Sequence, residues 1–266
     1  MEYIVYTSQF EKMIDNKIIG RPELIDSEIT FVGKNNILIC DNNIKLDNVV
    51  LEFNSNNSIV YLGSDLKSFK LRIYTNSTAF LGRDIDIGTS VTINIFENQN
   101  IVIGDDCFIG DNVYISNSDN YPIYNCDTKE RINYSNSIFI GDHVFLGNNV
   151  YISKGVKIGS GTIIDNASFI PSHAIIHSND YLSGNPAKII NHDVFFTKDF
   201  LGPYNQDDSL NSKNYKSDIF IYELVNQETL SMNHIDNILK ELDVESRFEF
   251  IQKLFIRNKR KNRFYI

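Results

Sequence analysis

The sequence predicts an all-β solenoid, in which short strands coil around a narrow apolar interior. A large aliphatic residue returns at every sixth position over eight consecutive hexads, and neither an amphipathic helix nor a half-buried strand has that period. The recurring residues are Ile140, Leu146, Ile152, Ile158, Ile164, Ile170, Ile176 and Leu182. Gly follows several of them directly, as at Gly141, Gly147 and Gly159, and permits a corner. Each hexad therefore forms one face of a coil.

A second inward position follows four places after each aliphatic residue, where strand parity turns the side chain the same way. Small or β-branched residues occupy it: Val144, Val150, Val156, Thr162, Ser168 and Ala174. Weaker hexads begin at Leu81, Ile87, Ile103 and Ile109, and looser apolar runs extend back to Ile29. We therefore place the solenoid at residues 29–190, after an N-terminal segment of residues 1–28.

The hexads end at Leu182, and residues 191–266 are predicted to form a C-terminal extension that is mostly helical. Within it, residues 191–227 are polar and aromatic, with a break at Gly202-Pro203, and are expected to form an extended or partly helical segment that lies over the solenoid. Apolar residues at helical spacing indicate two helices near its end, with Ser231 and Asp243 as their N-caps. Their apolar faces must pack on each other, on the solenoid or on a second subunit.

The hexads resemble those of the hexapeptide-repeat acyltransferases, over roughly half of the chain. The resemblance implies a left-handed parallel β-helix with three hexads per coil, and assembly as a homotrimer. A six-residue repeat carried through eight hexads is a specific signal.

The six-residue period is interrupted between Ile115 and Ile138 by an insertion at about residues 118–137. Insertions in a solenoid form surface loops, often on the binding face, so this one is the leading candidate for the functional site. It resembles the active-site loop of the capsule and O-antigen O-acetyltransferases, which reads Ser-Asp-x-His-x-Ile and later Arg-Ile-Asn. The resemblance assigns Asp119 and Tyr121 to catalysis. It assigns Ser118, Asn120 and Arg131 to the substrate. Tyr121 stands where that family has its catalytic His.

This departure matters because a general base should titrate near the working pH. A free imidazole titrates near pH 6.5 and a free phenol near pH 10. Tyr121 therefore suits hydrogen bonding, orientation of the acceptor or stacking on a sugar ring. His143 is a second candidate base, and parity turns it outward with Phe145, a candidate substrate contact, toward the groove beside the insertion. The alternative for His143 is a corner residue bonded to a carbonyl group.

The resemblance also implies acetyl-CoA as co-substrate. The segment that closes the solenoid in that family lies beside coenzyme A, and here it comprises Gly184, Asn185, Pro186, Ala187 and Lys188. A cation such as Lys188 suits the nucleotide phosphates. Ala167 and Ser168 belong to the same predicted cofactor site, although the family often reads Gly-Ser-Val-Val-Thr-Lys there. The alternative is a structural cap with an incidental lysine.

Composition excludes several classes of protein. The net charge of -9 argues against general nucleic-acid binding. No apolar stretch approaches the roughly 20 residues of a membrane span, and the N-terminus has no signal-peptide pattern, so we expect a cytoplasmic protein.

The sequence also bears on a zinc ion and on an anionic surface as partners. γ-Type carbonic anhydrases bind zinc on this fold through three histidines, but His143, His173 and His177 do not have their spacing, so no metal is expected. The basic cluster at residues 257–263 is either a solvated helix end or a contact for an anionic membrane surface or polysaccharide.

Two functions follow from these observations. The favoured one is an acetyl-CoA-dependent O-acetyltransferase that acts on a sugar of a bacterial surface polysaccharide. The alternative is a non-catalytic β-helix that binds sugar or scaffolds enzymes of the same pathway, as the substitution at Tyr121 would suggest.

Overall fold

The computed structural model describes residues 1–266 and contains a β-solenoid built from three sheets, here called sheets A, B and C. Sheet A contains Glu2–Ile4, Glu28–Phe31, Lys45–Phe53, Leu66–Ile73, Val91–Ile95, Tyr114–Ser116, Tyr151–Ile152 and Phe169–Ile170, with Glu23–Ile25 paired beside Lys45–Phe53. Sheet B contains Lys17–Ile19, Ile37–Cys40, Ile59–Leu62, Thr78–Leu81, Asn100–Ile103, Ile138–Ile140, Lys157–Ile158 and Ile175–Ile176. Sheet C contains Asp86–Ile87, Phe108–Ile109, Phe145–Leu146, Ile163–Ile164, Tyr181–Gly184 and Ala187–Asn191. The predicted β-solenoid is confirmed.

The hexad residues stack in register from turn to turn. Ile140 pairs with Ile158 in sheet B, and Leu146 pairs with Ile164 in sheet C, three hexads apart in each case. Their side chains belong to one apolar core of 40 buried residues that runs along the interior of the solenoid. The second inward position is also buried from Val144 to Ser168, and Ala174 packs against the same core.

The corners show why Gly follows the aliphatic residue. Gly141 does not adopt the left-handed conformation, but a Cβ atom there would lie 2.6 Å from the amide nitrogen of Ser160 in the next turn. The left-handed residue comes two places later, where His143 has φ 53° and Asn149 has φ 59°. Close approach of successive turns therefore requires the Gly, whereas Asn, Asp and here His occupy the left-handed corner.

The solenoid ends in a hairpin, since Ala187–Asn191 returns antiparallel to Tyr181–Gly184. The extension then carries helices α1 (Gln206–Asn211), α2 (Met232–Glu241) and α3 (Val244–Ile251), and α3 continues as a π-helical turn, Gln252–Ile256. A separate 3-10 helix, Thr7–Lys12, lies near the N-terminus. The predicted caps are confirmed, because Ser231 accepts from the amide of His234 and Asp243 accepts from the amide of Ser246.

Helices α2 and α3 pack on the outer face of sheet B. A second cluster of 14 buried residues joins them, and the ring centroids of Phe80 and Phe255 lie 4.7 Å apart within it. The sheet contributes Ile37, Ile39, Ile59, Tyr61, Phe80, Val102 and Phe139, and the extension contributes Met232, Ile235, Leu239, Val244, Ile251, Phe255 and Phe264. Burial of these side chains accounts for the helical end of the extension.

The first part of the extension is mostly not helical. Most of residues 192–231 form irregular chain that wraps the corner between sheets B and C. Their backbone groups bond to that corner instead of to a helix: the amides of Val194 and Tyr222 donate to Asn179, whose side-chain amide donates to the carbonyl oxygen of Phe220. Within this part of the extension, α1 is the one helix.

The basic cluster is largely engaged within the chain. Arg263 is 1% exposed and pairs with Asp142 at 2.6 Å and Asp105 at 3.1 Å. Lys259 also pairs with Asp105, and Lys261 donates to the carbonyl oxygen of Asp218. The contacts with Asp105 and Asp142 fasten the extension to the solenoid, and the contact with Asp218 joins two parts of the extension. The buried Arg263 has no surface to offer a membrane or a polyanion.

The N-terminal region differs from the predicted segment 1–28. Lys17–Ile19 pairs in parallel with Ile37–Cys40 and Glu23–Ile25 with Lys45–Phe53, so the sheets begin before residue 29.

No helix in the structure combines the length and the apolar character that crossing a bilayer would need.

Candidate functional site

The insertion leaves the solenoid at the corner between sheets A and B, after Tyr114–Ser116 and before Ile138–Ile140. Asn133 closes it into a compact loop. Its Oδ1 accepts from the amide of Ile123 at 2.6 Å, and its Nδ2 donates to the carbonyl oxygen of Tyr121 at 2.8 Å and to Asp119 at 2.9 Å. Isolated bridge pairing of Tyr124 with Arg131 completes the loop.

Asp119 is anchored to the solenoid by Lys154, which is 8% exposed and donates its ammonium group to the carboxylate. Burial alone would raise the pKa of Asp119, but the hydrogen bonds from Lys154 and Asn133 outweigh it and hold the pKa below its ordinary value. Asp119 is therefore a fixed anion that positions the loop, and it is a weak proton acceptor.

Arg131 forms the second anchor. Its guanidinium contacts Glu97 at 2.5 and 2.9 Å, and Ser135 donates its hydroxyl to the same carboxylate at 2.5 Å. The hydrogen bond from Arg131, supported by Ser135, lowers the pKa of Glu97 to about 2 against the opposing effect of burial. Arg131 is thus engaged in holding the loop.

We expect Glu97→Gln to loosen the insertion without unfolding the solenoid. Amides of residues 118–137 should exchange with solvent roughly fivefold faster at neutral pH, because the ion pair is lost. Hydrogen exchange read by mass spectrometry measures this. Glu130→Gln is the matched control, since Glu130 is an exposed carboxylate in the same loop whose side chain meets no partner.

The stabilisation of the insertion by Glu97 should be lost as the pH falls. The pKa of Glu97 is about 2 in the folded protein and 4.5 as its ordinary value. Its contribution to stability is therefore complete above pH 4.5 and disappears as the pH falls through about 2. After correction for intrinsic exchange rates, the loop amides of the wild type and of Glu97→Gln should exchange at increasingly similar rates as the pH falls over that range. A constant ratio between the two rates across the range would contradict the assignment.

Tyr121 is presented to solvent at the tip of this loop. Its side chain is 80% exposed and its hydroxyl has no hydrogen-bond partner within the chain. Asn120 adopts a left-handed conformation with φ 66°, and its amide donates to the hydroxyl of Ser118 at 3.2 Å. The two neighbours therefore shape the turn that carries Tyr121.

His143 lies outside the groove in which we expected it. Its side chain does point outward, at the corner between sheets B and C, but the extension covers it and leaves it 0% exposed. The ring stacks between Phe196 at 4.1 Å and Phe220 at 4.0 Å. Nδ1 lies 2.6 Å from Asp106 and Nε2 lies 3.0 Å from the carbonyl oxygen of Phe196, so both nitrogens face acceptors. His143 clamps the extension, and neither nitrogen is available to a substrate in this structure.

Phe145 lies on the outer face of sheet C, stacked on Phe108 at 4.8 Å and edge-on to Phe196 at 5.5 Å. Sheet C is opposite the corner between sheets A and B in a three-sided solenoid. The structure therefore does not bring Phe145 and Tyr121 together within one subunit.

The predicted cofactor residues do lie together. The amide of Gly184 donates to the hydroxyl of Ser168 at 3.2 Å, which joins the closing segment to the turn below it. Ser168 is buried, Ala167 is an exposed corner residue with φ 56°, and Asn185 and Pro186 form the exposed tip of the hairpin. Lys188, beyond Ala187, is exposed and makes no ion pair within the chain.

Sequence and structure comparisons place this architecture among known proteins. A family model described as "Bacterial transferase hexapeptide (six repeats)" matches residues 137–172, and one described as "Hexapeptide repeat of succinyl-transferase" matches residues 100–117. The chain carries the hexapeptide repeat of bacterial transferases in these two stretches. The predicted family is confirmed.

Its relatives are acetyltransferases. The chain is 29% identical over 150 residues to polysialic acid O-acetyltransferase from Neisseria meningitidis, a match that covers 54% of this chain and 69% of that protein. The crystal structure of the polySia-specific acetyltransferase NeuO is similar with TM-score 0.65 and 28% identity, covering 74% of this chain and 93% of NeuO. That of polysialic acid O-acetyltransferase OatWY has TM-score 0.57 and 26% identity, covering 75% and 96%. The predicted acetyltransferase class is confirmed by these relatives.

Three residues of this hexapeptide-repeat site were missed by the sequence analysis: Glu97, Asn133 and Lys154. Asn133 belongs to the quoted Arg-Ile-Asn motif, so the motif itself could have indicated it. Glu97 and Lys154 come from the turns before and after the insertion, where no sequence pattern shows that they meet Arg131 and Asp119.

Proposed function

We propose that this protein is an acetyl-CoA-dependent O-acetyltransferase of a bacterial surface polysaccharide, working in the cytoplasm. The observation that carries the proposal is the folded insertion. Residues of the acetyltransferase-like motif, Asp119 and Asn133, close the loop on each other and present Tyr121 to solvent. This position is the one where related loops carry the catalytic group.

We propose that two subunits complete each site in a homotrimer. Tyr121 belongs to the corner between sheets A and B, and Phe145 to the opposite sheet. A groove between neighbouring copies brings the insertion of one subunit to sheet C of the next. Sheet B, which its own helices cover, then faces outward.

In this arrangement acetyl-CoA lies along sheet C, with its phosphates near Lys188 and its chain beside the exposed Ala167 and Gly184. Ser168 is buried and supports this site only through its hydrogen bond with the amide of Gly184. An unpaired, exposed ammonium group suits phosphate. The acceptor hydroxyl oxygen attacks the thioester carbonyl and forms a C–O bond. The C–S bond breaks, and the hydroxyl proton ends on the released thiol.

Lys188→Ala should weaken binding of acetyl-CoA roughly tenfold, because a charge-assisted contact to phosphate is lost. Isothermal titration calorimetry measures the affinity. Lys188→Arg should retain most of it, and Lys213→Ala, which removes an exposed lysine of the extension, should leave it unchanged. Equal affinity of Lys188→Ala and the wild type would remove the basis for placing the phosphates there.

The function itself is tested by release of free thiol from acetyl-CoA in the presence of surface glycan from the source organism. We expect release that depends on the glycan and incorporation of acetyl groups into it. Protein that binds acetyl-CoA and glycan but releases no thiol above background would instead favour the non-catalytic, sugar-binding alternative.

A further inference from the structure

Two of the three cations at the insertion are paired with carboxylates within the chain, and the third, Lys129, donates to the carbonyl oxygen of Cys126. Arg131 is paired with Glu97 at 2.5 Å, and Lys154 is paired with Asp119. Together with these partners the insertion has four carboxylates and three cations. The carboxylates are Glu97, Asp119, Asp127 and Glu130, and the cations are Lys129, Arg131 and Lys154. This side of the proposed groove therefore has no surplus of positive charge.

The other side of the proposed groove, around Phe145, also has no surplus of positive charge. Lys198 of the extension lies 2.8 Å from Asp106 and 3.1 Å from Asp86, and it also donates to the carbonyl oxygen of Asp84. One ammonium group is shared there by two carboxylates. Any further anion brought to Lys198 would meet Asp86 and Asp106 as well.

A polyanion needs unpaired cations along its path, because each neutralised group of the polymer must meet a positive charge. Lys188, at the end of sheet C, is exposed without an ion pair and serves the proposed nucleotide site. The surfaces left for the acceptor offer three aromatic rings, Phe108, Phe145 and Phe196. Their one cation without an ion pair is Lys129, and the carboxylates of Asp127 and Glu130 stand beside it in the sequence and outnumber it.

We propose that the acceptor is an uncharged glycan, in contrast to the polysialic acid named for the relatives. Apolar faces of neutral sugar rings would stack on the aromatic group formed by Phe108, Phe145 and Phe196. The unpaired carboxylates of Asp127 and Glu130 repel carboxylated polymers and so supply selectivity against them. This inference rests on the proposed function for its location, and on the charge pairing for its content.

The test measures glycan binding directly, so that it does not depend on turnover. Full-length protein is applied to immobilised neutral oligosaccharides of glucose, galactose and N-acetylglucosamine, and to polysialic acid, at about 20 and about 200 mM NaCl. We expect binding to at least one neutral glycan that salt does not change, and binding to polysialic acid at least roughly tenfold weaker.

Charge reversal on the exposed part of the loop provides the second arm. The double variant Asp127→Lys/Glu130→Lys should gain binding to polysialic acid that is lost at the higher salt concentration. A folded variant without this gain would show that charge does not exclude the polymer and would overturn the inference. So would salt-sensitive binding of polysialic acid by the wild type, or binding of neither class. Retained binding of a neutral glycan with no acetyl transfer would defeat the proposed function alone.

Discussion

Replacing Tyr121 by histidine is expected to raise acetyl transfer by about 100-fold, the lower end of what a well-placed general base contributes. A free imidazole is largely unprotonated at pH 7 and takes up a hydroxyl proton, whereas a free phenol is protonated and cannot. The change should not disturb the loop. The side chain of Tyr121 is 80% exposed, and Asn133 holds the residue through its carbonyl oxygen instead.

The pH profile of the Tyr121→His variant gives the decisive reading. Its rate should rise as the pH passes through about 6.5 and then level off, because a general base acts in its unprotonated form. Thiol release with a saturating acceptor measures it. Tyr121→Phe is the control, since it keeps the ring and removes the hydroxyl, and it should only reduce activity. No gain in a histidine variant that still binds acetyl-CoA would show that the acceptor site differs from the acetyltransferase pattern.

The solenoid was predictable because its information is local. Each turn repeats the same aliphatic and small residues, so the core positions from Ile140 to Leu182 follow from the period alone. The helix starts at Ser231 and Asp243 were predictable for the same reason, because a capping side chain bonds to an amide three residues later.

The surroundings of His143 were not predictable because they depend on chain distant in sequence. The alternation of side chains along the strand correctly predicted that the ring of His143 points outward. The rings of Phe196 and Phe220 that cover it come from a segment with no hydrophobic period, and their approach to this corner leaves no sequence pattern. The pairing of Arg263 with Asp142, across 121 positions, is of the same kind. The basic cluster at residues 257–263 therefore suggested a surface for an anionic partner, whereas in the structure Arg263 forms a buried ion pair.

Arg263→Met is expected to lower the free energy of unfolding by about 3 kcal/mol or more, the largest loss we expect from a single substitution outside the core. Arg263 donates to both carboxylate oxygens of Asp142, at 2.7 and 2.6 Å, and to the carbonyl oxygens of Phe255 and Asn258. Removing the guanidinium leaves Asp142 buried without a counter-ion. Chemical denaturation should show the loss, and limited proteolysis should show earlier cleavage of the extension.

A double substitution separates the lost contact from the orphaned charge. Asp142→Asn/Arg263→Met should be less destabilised than Arg263→Met alone, because the amide keeps an acceptor for the backbone of Asp105 without burying a charge. Arg257→Met, an exposed arginine of the same segment, is the matched control and should stay within about 0.5 kcal/mol of the wild type. If the double variant were as unstable as the two single changes added together, Asp142 and Arg263 would be energetically independent. The extension would then be held mainly by its apolar contacts with sheet B.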